Sequence, residues 1–123
     1  MIRAWLVVAA FAGVLSVAAG AIAAHLASGE PHAAELLRTG ALYGMVHAAA
    51  LVATAALVER RERPRLLLAI AGWSFAAGIC LFSFSLFGLV VTRWFWLAMV
   101  TPIGGTALLV GWSALGLGAL GRR

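Results

Sequence analysis

Four stretches of this chain carry no Asp, Glu, Lys or Arg: Ala4–Ala24, Gly40–Val58, Leu66–Thr92 and Trp94–Gly121. A helix rises about 1.5 Å per residue, so roughly 20 apolar residues cross a hydrocarbon core of about 30 Å. Every stretch is long enough to cross, the second by the smallest margin. Inside lipid the backbone must satisfy its own hydrogen bonds, which leaves helices or a closed barrel. The alternating pattern of barrel strands is absent. The predicted fold is therefore all-α: an integral membrane four-helix bundle in one membrane domain spanning 1–123, with helices at about 4–26, 40–58, 66–91 and 94–118.

Composition agrees. The chain is 64% hydrophobic and 11% charged, against about 45–50% and about 25% in soluble domains. A 123-residue chain cannot hide that much apolar surface behind a polar shell, because small domains have too much surface for their volume. The first run also carries the marks of a secretory signal, with Arg3 before it and Ala21-Ile22-Ala23 near its end. It is read here as the first membrane helix.

Charge sets the orientation. All nine basic residues are Arg, and they cluster between apolar runs, as topology signals do. That spacing does not make a phosphate-binding stripe, so no nucleic-acid partner is expected. With the N-terminus inside, Arg3, Arg60, Arg61, Arg63, Arg65, Arg122 and Arg123 face the cytoplasm, and only Arg38 and Arg93 lie outside. Seven against two predicts both termini inside, an N-in/C-in, up-down bundle. Arg60, Arg61, Arg63 and Arg65 act as topology anchors. Between helices one and two, Pro31 suits a first helical turn. The segment at about 31–39 is expected to be a short interfacial helix, with outward extension of helix two as its alternative. Trp5 on the inner side and Trp94 and Trp96 on the outer side suit interfacial belts.

Polar residues inside a membrane are costly and therefore informative. His25, Tyr43, His47, Ser83, Ser85 and Thr101 all fall toward the outer ends of their helices, which predicts one polar layer collecting residues from all four. Arg93 and Glu35 are placed to cap it. Three readings stay open: hydrogen bonds that fix helix register, a site for a small ligand such as a quinone or lipid, and haem or metal ligation through His25 and His47. No cofactor is required by the sequence, and no metal is expected. Hydrolysis would need a base oriented behind Ser83 or Ser85, and no Gly-x-Ser-x-Gly elbow is present. All four acids (Glu30, Glu35, Glu59, Glu62) fall outside the four apolar runs and are expected in loops, which disfavours a proton-coupled carrier. Cys80 is the single cysteine, so neither an internal disulfide nor a cysteine metal cluster is available.

Pro102 frees the carbonyl of Ala98, and Gly104 and Gly105 permit a bend, so a helix kink is expected there. Gly13, Gly20, Gly72, Gly78, Gly104, Gly105 and Gly111 let helices approach, either inside the bundle or across a dimer face.

The motifs Gly20-Ala21 to His25, Tyr43 with His47, Ala71-Gly72-Trp73 to Leu81-Phe82-Ser83, Ser85-Leu86 and Thr101-Pro102-Ile103-Gly104-Gly105 together resemble one family, the four-helix membrane proteins catalogued as domain of unknown function 423. Ile22-Ala23 stand where that family usually has Phe-Gly, and Phe84 where it usually has Gly. The resemblance implies a four-helix fold in a bacterial inner membrane, with the mitochondrial inner membrane as the alternative, and supplies no activity. The expected role is a non-enzymatic structural or interaction protein, an accessory subunit whose partners are the bilayer and other membrane subunits or itself. The alternatives are a binder of quinone, lipid or haem, and a small channel or carrier.

Overall fold

The computed structural model describes residues 1–60 and 66–120. They form four helices: α1 (Ile2–Leu26), α2 (Pro31–Glu59), α3 (Leu66–Thr92) and α4 (Leu97–Leu120). No strand occurs among the described residues, and each helix is long and apolar enough to cross a membrane. Arg61, Arg63 and Arg65, three of the four expected anchors, lie outside the described residues, as do Arg122 and Arg123. Arg60 closes α2, its backbone N–H reaching the carbonyls of Ala56 and Val58.

The sequence of buried residues explains the packing. On α1 these are Trp5, Ala9, Ala12, Ser16, Ala19 and Ala23. On α2 they include Ala34, Leu37, Ala41, Gly44, Ala48, Leu51, Ala55 and Val58. Both sets step by alternating threes and fours, the 3.5-residue repeat of two helices winding about each other. Most members are Ala, Gly or Ser. Lipid supplies no hydrophobic drive between helices, so attraction rests on close dispersion contact, which small residues permit.

A second seam joins α3 to α4 with a different size pattern. Gly104, Gly111 and Gly118 recur every seventh residue of α4. They lie against the Leu81–Phe82 backbone, the Phe75 ring and the Leu67–Leu68 side chains of α3. Large residues on one helix fill hollows left by glycine on the other. Leu108 returns the pattern by lying over Gly78.

Three expectations are corrected. No separate interfacial helix occupies 31–39; α2 runs unbroken from Pro31. Ala34 and Leu37 continue the register of Ala41 and bury against Ala19 and Ala23 of α1, with Phe87 and Val90 of α3 alongside. Gly40 does not break the helix because the Phe87 ring and Leu86 stand over it. The fourth helix starts at Leu97 rather than 94. Trp94, Phe95 and Trp96 form a tight turn with i→i−3 hydrogen bonds into Leu97, Ala98 and Met99 of 3.0–3.1 Å, the 3₁₀ pattern at a helix start. Trp5 is no interfacial anchor: it is 0% exposed, capped by Gly72 and edge-on to Trp73 at 6.0 Å. Trp94 and Trp96 do remain exposed, stacked at 6.4 Å.

Candidate functional site

His47 lies 5% exposed in the α2 register. Its Nδ1 is 2.7 Å from the Tyr43 carbonyl, one turn back, and its Nε2 is 3.1 Å from the Trp112 indole nitrogen on α4. A carbonyl only accepts and an indole N–H only donates. Both bonds form together only if Nδ1 carries the proton and Nε2 presents its lone pair, which defines a neutral imidazole of one tautomer. Aromatic rings enclose it. Tyr43 stacks on it at 5.8 Å, and Phe75 and Trp112 each lie at 6.0 Å. Phe82 meets Tyr43 at 4.6 Å. This cluster draws on α2, α3 and α4.

Ser85 and Thr101 form a second centre, between α3 and α4, with their hydroxyls 2.7 Å apart. Ser85 also reaches the Leu81 and Phe82 carbonyls at 2.7 and 2.8 Å, and Thr101 the Leu97 carbonyl at 3.3 Å. One hydroxyl donates to the other, which donates to its own helix, so no proton is left over. Such back-bonding to the preceding turn is the usual refuge of Ser and Thr in membrane helices.

Ser83, two residues away, points the other way. It is 1% exposed and stands over Gly44 with Ser16 of α1. Among the described residues neither hydroxyl has a hydrogen-bond partner, and neither does the Trp5 indole nitrogen. Among the described residues, neither Ser83 nor Ser85 is hydrogen-bonded to His47, whose nitrogens are held by Tyr43 and Trp112.

The single layer expected from all four helices therefore separates into three small centres. His25 joins none of them. It is exposed in the last turn of α1, whose neighbours on α2 are Ala34 and Leu37. His47 lies ten or more residues further along α2, on the order of 15 Å by helix rise. The two histidines do not face a common ligand, and no group of three His, Cys, Asp or Glu suited to a metal occurs among the described residues. Pro102 sits inside α4, which continues through it, and Thr106 donates to the Pro102 carbonyl at 3.0 Å. Gly104 lies directly on the α3 backbone, while Gly105 has only ordinary room beside Phe82.

At the end of the bundle where α1 meets α2 and α3 meets α4, Arg93, one of the two residues expected to cap the polar layer, pairs with Glu30 at 3.4 Å. Arg93 has φ 57°, left-handed backbone that a non-glycine residue enters at a cost. Beside this pair a groove of about 490 Å³ opens between α2 and α4 over the end of α3.

Sequence reading missed Trp112, Ser16 and the groove. Trp112 is 65 residues from its partner, and nothing local announces that contact. Ser16 was detectable, since it falls in the three-four repeat of α1. The Arg93–Glu30 pair depends on the turn before α4, which hydropathy places too early.

Comparison with known proteins follows the same lines. The family described as "Protein of unknown function (DUF423)" matches residues 19–105, which takes in His25, His47, Ser85 and Thr101–Gly105. The UPF0382 membrane protein of Haemophilus influenzae is 38% identical over 117 residues, covering 94% of this chain and 92% of its own. The UPF0382 inner membrane protein YgdD of Escherichia coli K12 is 34% identical over 126 residues, covering 96% and 90%. The UPF0382 membrane protein YwdK of Bacillus subtilis is 34% identical over 112 residues, covering 89% and 90%. No solved structure matches. Together with four membrane-length helices, these relatives place the chain in a bacterial inner membrane.

Proposed function

Because the chain belongs to the DUF423 family of membrane proteins, whose description assigns no activity, we propose on physical grounds that it works by association, as an accessory subunit docked on another transmembrane helix. One observation carries this reading. Beside the seam that α1 uses for α2 runs a second three-four series: Leu6, Ala10, Gly13, Val17, Gly20 and Ala24. Leu6 and Val17 are 42% and 66% exposed, Ala10 and Ala24 are exposed, and no atom approaches where a Cβ would stand on Gly13 or Gly20. The series has the spacing and residue sizes of a helix-packing seam, and it faces lipid.

The orientation belongs to the same proposal. The arginine excess supports an up-down arrangement with both termini cytoplasmic. In a Cys80→Ala background, a cysteine at Ser28 should be labelled by an impermeant maleimide from outside intact spheroplasts. Labelling only after lysis would reverse the orientation.

His47, Ser85 and Thr101 fit this reading, since their hydrogen bonds run helix to helix or back to their own helix. Released in mild detergent, the protein should appear by native mass spectrometry bound to a defined partner or to a second copy. Gly13→Leu with Gly20→Leu should leave the bundle folded and release it. A solitary wild-type chain in every detergent would contradict the proposal.

A further inference from the structure

We infer that the groove beside Arg93 and Glu30 holds one phospholipid with a zwitterionic amine headgroup of the phosphatidylethanolamine class. Three observations converge on it. First, the groove has an apolar floor and walls: Ala33 and Leu36 from α2, Leu89 and Val90 from α3, and Phe95 and Ala98 where α4 begins. It lies at a helix end, the depth at which a bilayer passes from headgroup to acyl chain.

Second, its rim carries one positive and one negative group side by side, Arg93 and Glu30, 3.4 Å apart and 74% and 53% exposed. A long, exposed ion pair is weak and readily exchanged. A phosphoethanolamine head offers the matching charges: its phosphate suits the planar guanidinium fork, and its ammonium suits the carboxylate. The phosphate of an anionic head would gain Arg93 but set an uncompensated negative charge beside Glu30.

Third, residue 93 occupies left-handed backbone, where glycine would be unstrained. A strained residue that is nonetheless arginine points to work for its side chain. Arg93 lines the groove together with Pro31 and His32, immediately before the tight turn of Trp94–Trp96.

This inference stands apart from the docking role of α1, on the other side of the bundle's helix order. Delipidated full-length protein is mixed with equal amounts of phosphatidylethanolamine and phosphatidylglycerol of identical acyl chains, and retained lipid is read by native mass spectrometry. One lipid should be retained, phosphatidylethanolamine several-fold over phosphatidylglycerol. Glu30→Gln should erase the preference, and Arg93→Gly, which relieves the backbone, should reduce retention of both. Arg38→Gln, away from the groove, should change neither. Equal retention of the two lipids, preference for phosphatidylglycerol, or a preference unmoved by both variants overturns the inference.

Discussion

At the scale of single residues, His47 shows how a titratable group in a membrane can be a structural one. Its two nitrogens are matched to an acceptor and a donor that admit only the neutral ring. Interhelical hydrogen bonds in membranes contribute about 0.6 to 2 kcal/mol. A double-mutant cycle with His47→Ala and Trp112→Phe should give a coupling in that range, read from denaturant unfolding in detergent micelles. Zero coupling would mean the bond adds nothing to the fold. The sequence marked His47 as important because a polar residue at that depth is expensive. It could not name Trp112, because an indole on an otherwise apolar helix looks like any lipid-facing aromatic until packing brings it to a partner. The same blindness applies to Ser83 and Ser85. Two residues apart, they read as one motif but turn to different neighbours, since helical rotation sets them about 200° apart.

At the scale of the element, helix existence and most helix ends were legible, and the starts of α2 and α4 were not. Runs of apolar residues carry the spans directly, whereas Gly40 and Trp94–Trp96 depend on contacts that hydropathy does not register. Hydropathy treats Gly40 as a helix start, yet Phe87 and Leu86 make it an interior packing position. Glycine spacing divides in the same way. Gly104 and Gly105 are indistinguishable in sequence, but only Gly104 rests on the α3 backbone. Gly104→Ala must push two backbones apart and should cost about 1–3 kcal/mol. Gly105→Ala, with its nearest Phe82 atom 3.7 Å from the new methyl, should fall within about 0.5 kcal/mol of wild type. Thermal unfolding of the two variants in one detergent checks the contrast, and equal losses would contradict this seam.

At the scale of the whole molecule, the helices stack in chain order, with α1 on α2, α2 on α3 and α3 on α4, and α1 touching α3 less extensively. Phe11 and Phe84 meet edge-on at 5.7 Å across that smaller contact. This arrangement leaves α1 with one seam filled and a second open. The sequence offered glycine for either internal packing or association, and the structure shows which positions pack inside the bundle and which stay open. Gly44, Gly72, Gly78, Gly104 and Gly111 are inside, while Gly13 and Gly20 face outward. Which glycine does which follows from helix neighbours and could not be read from spacing alone. In the proposed mode of association, the outward seam of α1 receives another transmembrane helix. The most direct test places a photoreactive amino acid in turn at residues 13, 20, 14 and 18 and irradiates intact membranes. Positions 13 and 20 should give one discrete crosslinked species, with 14 and 18 giving little. Equal crosslinking at all four positions, or none at 13 and 20, would contradict it.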